Sequence, residues 1–85
     1  MELNRLQEKM YHKVCDRIDV GRDFKIVSND VVINFQYSKY DLEWEGFVYD
    51  NTKNWKKSIE NGWVDLKIFS DDRELKKYIR ELIAK

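Results

Sequence analysis

Proline is absent from this 85-residue sequence, cysteine occurs once, and glycine only three times. Each scarcity excludes something. The single thiol, Cys15, rules out an internal disulfide and is too little for a structural zinc site, so no metal or cofactor is expected. Gly21, Gly46 and Gly62 are too scattered to form a glycine-rich phosphate loop, which argues against nucleotide hydrolysis. Net charge is missing too: sixteen Lys and Arg balance sixteen Asp and Glu. No global field therefore draws the chain onto a nucleic acid or an anionic bilayer, and any such binding must come from a local patch. No apolar run approaches the length of a membrane span. The start, Met1-Glu2-Leu3-Asn4-Arg5, lacks the basic and apolar segments of a secretion signal, so the expected location is cytoplasmic.

What is present is 42% hydrophobic, 14% aromatic and 38% charged. That suffices for one small core, with roughly 60% of the unfolded chain's surface buried on folding. No repeat, low-complexity tract or Gly/Ser linker interrupts the sequence, so residues 1–85 are expected to form a single α+β domain.

Leu3, Leu6, Met10, Val14 and Ile18 recur at three- and four-residue steps, which predicts an amphipathic helix with Gly21 as its stop. Period-two alternation follows. Phe24 and Ile26, then Val31, Ile33, Phe35 and Tyr37, flank Asn29-Asp30 as a two-residue turn, pairing Ile26 with Ile33 and Phe24 with Phe35. A second hairpin through Ser38-Lys39-Tyr40-Asp41 would set Tyr37 opposite Leu42, Phe35 opposite Trp44 and Val31 opposite Val48. The result is a three-stranded antiparallel meander with one apolar face under the first helix. Its other face carries Lys25, Asn34, Glu43 and Glu45 at one end and Val27, Val32, Phe47 and Tyr49 at the other.

Asp50, Asn51 and Thr52 offer caps for a short helix reaching Asn61, with Trp55 and Ile59 on its apolar side and Gly62 at its end. Residues 63–69 alternate again and are expected to form a short fourth strand. Asp71 with Glu74 fits a capping box for a last helix whose stripe is Leu75, Ile79, Leu82 and Ile83. Folding of that helix over the outer sheet face is the favoured arrangement. If the face stayed open instead, it would serve a homodimer or another partner.

Three constellations bear on chemistry. His12 and Cys15 lie one turn apart with Asp16 nearby, but one surface helix cannot also place an oxyanion donor at the thiol, so no catalytic residue is assigned. Lys53, Lys56 and Lys57 form a basic cluster at the second helix, suited to phosphates. Asp41, Glu43, Glu45 and Asp50 form an acidic stretch without a basic side chain. Carboxylates on a rigid sheet can imitate phosphate spacing and enter a basic groove. Equally, charges on an edge strand would discourage edge-to-edge pairing. Asp71, Asp72 and Glu74 make a second acidic group.

Two families resemble parts of this pattern. The αβββα order, with Lys53, Lys56 and Lys57 in its later helix, resembles the double-stranded RNA-binding domain, whose last helix meets phosphates through lysines. Glu60-Asn61-Gly62-Trp63, followed by Asp71-Asp72-Arg73-Glu74 and a terminal amphipathic helix, resembles the small type II-A anti-CRISPR proteins of Listeria prophages. That resemblance implies a phage or mobile-element origin and an acidic segment that mimics DNA against a host RNA-guided nuclease. Asp71, Asp72 and Glu74 are the positions it carries over. The expectation is therefore a non-enzymatic inhibitor or modulator that binds a protein partner through Asp41, Glu43, Glu45, Asp71, Asp72 and Glu74, with no membrane involved. The alternatives are a nucleic-acid-binding module using Lys53, Lys56 and Lys57, and an interaction domain or homodimer.

Overall fold

A computed structural model of the chain describes residues 2–28, 31–50 and 62–84. In chain order these form α1 (Arg5–Asp19), β1 (Phe24–Ser28), β2 (Val31–Ser38), β3 (Glu43–Asp50), β4 (Asp65–Phe69) and α2 (Asp72–Ala84). The strands make one antiparallel sheet in the order β1-β2-β3-β4. The fold is thus α+β, as expected. None of the described helices is long and apolar enough to cross a membrane. The Asn29-Asp30 turn and the proposed short helix, with Trp55, Ile59, Lys53, Lys56 and Lys57, lie outside the described residues.

Asn4 caps α1 through a reciprocal box with Gln7: each backbone N–H donates to the other's side-chain oxygen, at 2.8 and 2.9 Å. Two orphan donors of the first turn are satisfied this way. At the other end, Arg22 N–H donates to the Arg17 carbonyl and Gly21 N–H to the Ile18 carbonyl, while Gly21 sits at φ +68°. This is a Schellman motif, which turns the chain sharply towards β1. The apolar stripe of α1 differs from expectation. Ile18 is buried, Leu3 is buried just ahead of the helix, and Tyr11 and Val14 pack on the core, but Leu6 and Met10 are 70% and 47% exposed. The helix has turned its Leu3–Tyr11–Ile18 side to the sheet, and the large Tyr11 ring takes the place the stripe gave to Met10.

The β1–β2 register is the predicted one, with Phe24 opposite Phe35 and Ile26 opposite Ile33. In the β2–β3 hairpin the pairing is shifted by two residues, so that Tyr37 faces Trp44, Phe35 faces Gly46 and Ile33 faces Val48. The cause lies in Gly46. A Cβ there would come within 2.7 Å of Phe35 Cε1, so the ring occupies the space that a side chain would need. Leu42, expected in the core, instead sits in the loop of residues 39–42 at φ +53° and is exposed. The even shift keeps each residue on its face, which preserves the apolar pattern.

Both helices pack on the same face. Leu75, Ile79 and Ile83 of α2 join Ile18, Phe24, Ile26, Ile33, Phe35, Trp44 and Val48 in one core cluster. Aromatic rings link the layers: Phe24 stacks on Phe35 at 4.8 Å, Phe35 meets Phe69 at 6.4 Å, and Phe69 meets Tyr78 of α2 at 5.1 Å. Burial of each large apolar side chain contributes about 1.5–3 kcal/mol. The helices run antiparallel, since Gln7 Nε2 donates to the Ile83 carbonyl at 2.9 Å and Lys76 Nζ reaches Asp19 at 2.7 Å. The expectation that α2 would cover the outer face is therefore corrected: its stripe finds a deeper apolar surface beside α1.

Candidate functional site

Sheet connectivity decides where the charged residues gather. Trp44 pairs with Phe69, so the loop before β3 and the connection after β4 meet at one end of the sheet. Asp41 and Glu43 come to that end from one side, and Asp71 and Asp72 from the other. Glu45 lies one step inward on the outer face, opposite Gln36 and Ile68. Glu74 rises from the first turn of α2. The two acidic groups, thirty residues apart in the chain, are thus brought to a common end.

Details differ from the sequence expectation. Asp41 keeps to the loop of the second hairpin, ahead of the strand that holds Glu43 and Glu45. It is exposed in the loop, where its backbone N–H donates to Ser38 Oγ and its carboxylate accepts from the same hydroxyl, both at 3.3 Å. Glu43 and Glu45 share the outer face of β3 and are half-buried. Nor is β3 an edge strand, because β4 pairs along it. Protection of an edge therefore does not explain its carboxylates, since β2 and β4 already satisfy its backbone. At α2, Asp71 is the cap: its carbonyl accepts from Leu75 N–H at 3.1 Å and its carboxylate from Arg73 N–H at 2.8 Å. Its oxygen serves Arg73 rather than the expected partner at Glu74. Carboxylates in this turn also face the positive end of the helix dipole. Asp72 and Glu74 are exposed, and the Asp72 carboxylate adds to the field that favours the Lys76 ammonium.

A basic flank lies elsewhere. Arg5, Lys9, Lys13 and Arg17 recur every four residues along α1, beside the exposed Leu6 and Met10. Lys13, Asp16, Arg17, Val20 and Arg22 line a surface concavity at its C-terminal end. An apolar stripe that runs through Leu6 and Met10 hides this flank, because it places those residues against the sheet. The unbroken four-residue repeat of cations was the signal that would have found it.

His12 is exposed, and Cys15 is half-buried beside Tyr11. Burial and the neighbouring thiol push the Tyr11 phenol above its usual range. The Arg80 guanidinium lies 5.6 Å from the same ring. These neighbours hold the thiol in a helix–helix seam and provide no base aimed at it. Among the described residues, no three His, Cys, Asp or Glu side chains group as metal ligands. Lys76 is held above its usual value chiefly by its hydrogen bond to Asp19, which makes this pair a clasp between α1 and α2. No family model, curated protein or solved structure matches the chain.

Proposed function

We propose that this chain is a non-enzymatic binding protein that presents its acidic sheet end to a basic groove on another protein. The supporting observation is the convergence of Asp41, Glu43, Asp71 and Asp72 on one end of a rigid sheet, with Glu45 and Glu74 beside it. Fixed carboxylates cost little ordering entropy on binding, and their field favours a cationic surface. The partner class suggested by the resemblance of residues 60–63 and 71–74 to anti-CRISPR proteins is a guide-loaded nuclease, whose target-binding groove accepts polyanions.

The test is an inhibition assay with a type II-A RNA-guided nuclease. Wild-type protein should block target-DNA binding, and added salt should relieve the block. Combined Asp41→Lys, Glu45→Lys and Asp72→Lys changes should abolish it while the circular dichroism spectrum stays unchanged. Absence of inhibition by saturating wild type would remove this partner class.

Duplex RNA binding has less support. Lys53, Lys56 and Lys57 lie outside the described residues, and β4 separates β3 from the closing helix.

A further inference from the structure

We propose that β4 is a self-complementary edge that docks a second copy of this chain, strand against strand and antiparallel, with Leu66 on the two-fold axis. Strand β4 is the last of the sheet and pairs with β3 on one side. Trp63, Val64 and Ile68 are 52%, 66% and 47% exposed. The Val48 carbonyl turns to β4, where it accepts from Val64 N–H at 2.7 Å, so alternation along the register aims Asp65 and Lys67 at β3 and Leu66 at the free edge. There Asp65 Oδ1 accepts the Leu66 N–H at 2.9 Å, and Lys67 Nζ holds the other carboxylate oxygen at 3.3 Å. Both contacts hold the Asp65 carboxyl below its usual range. The Leu66 amide therefore points away from the sheet, in the orientation an added strand requires.

The order Trp63-Val64-Asp65-Leu66-Lys67-Ile68-Phe69 is a chemical palindrome about Leu66. Antiparallel pairing with a second copy, helices on the same side, sets Asp65 against Lys67 twice, Val64 against Ile68 twice, and Leu66 against itself. Trp63 lies ahead of the strand with its ring against Phe47 at 6.0 Å on the outer face, whereas Phe69 points to the helices, so these two rings stay outside the pairing. Every opposed pair is then of matching kind, which is the arrangement that stabilises a sheet. Sliding by two residues either way opposes Lys67 to Lys67 or Asp65 to Asp65, so like charges disfavour the neighbouring registers. The other edge has no such order. Pairing β1 with itself about Ile26 would set Lys25 against Val27, and a two-residue slide would oppose Lys25 to Lys25. In the docked state the Leu66 amides and carbonyls of the two copies bond reciprocally, while each Asp65 carboxylate turns from its own Leu66 to the second copy's Lys67. The acidic end stays outside this contact, so self-association and the proposed function are separable.

Sedimentation equilibrium of the full chain tests the proposal. A monomer–dimer equilibrium is expected at concentrations up to about 1 mM. Asp65→Lys or Lys67→Asp alone should weaken it about tenfold by opposing like charges. The double exchange D65K/K67D should restore it to near the wild-type value. In a Cys15→Ser background, Leu66→Cys should yield a disulfide-linked dimer on mild oxidation. A protein that stays monomeric throughout the concentration range overturns the proposal. So does a dimer that both single reversals leave unchanged, because it would use another surface.

Discussion

The two faces of the sheet are built from the same strands, yet they do different work. On the helix-facing side, Ile33, Phe35 and Trp44 are almost wholly buried and meet Leu75 and Ile79, which are completely so. On the other side, Val32 is buried between exposed Val27 and half-buried Tyr49, and the face continues through half-buried Phe47, Leu66 and Glu45 to exposed Ile68. One face carries the interlocking rings and hence most of the stability. The other sets charge beside apolar surface.

Substitutions should break this contrast in proportion to their depth. The largest effect is expected for Trp44→Ala, which empties the centre of the aromatic cluster and should cost about 3–5 kcal/mol in denaturant unfolding. Gly46→Ala adds a single carbon against Phe35 and should cost about 1–3 kcal/mol, because that ring is pinned between Phe24 and Phe69. A cost near zero would show that the ring can retreat. Asn4→Ala removes the α1 cap at a cost of about 1 kcal/mol, read from the same unfolding curves. Leu6→Gln and Val27→Thr, at exposed positions, should change stability by no more than about 0.5 kcal/mol. The smallest effect concerns the helix clasp. Lys76 is raised in the folded state, so its contribution is complete below the unfolded value of 10.5 and lost as pH rises through the folded value. Thermal melts should therefore show a small alkaline loss in wild type that Lys76→Met lacks.

Much of this contrast was legible in the sequence. Alternation in residues 24–37 gave both strands and their register, because a one-residue slip would have turned Ile26 and Ile33 to solvent. The later register was not legible, because a glycine opposite a phenylalanine carries no hydrophobic signal and is favoured only once the ring's volume is considered. Leu42 belongs to the same difference: counting it as a core residue shifts the register by two. The side on which α2 would pack was hidden as well, since its stripe fits either face. Glu43 and Glu45 were correctly seen to share a face. That Asp71 and Asp72 come to the same end depended on β4 pairing with β3, which alternation in residues 63–69 suggested without naming the partner strand.

The most direct test of the acidic sheet end is the salt dependence of nuclease inhibition, compared between wild type and the variant reversed at Asp41, Glu45 and Asp72. Inhibition by wild type that fades with rising salt, and its loss in the reversed variant at unchanged folding stability, is the predicted result. Equal inhibition by the two proteins at every salt concentration would contradict it.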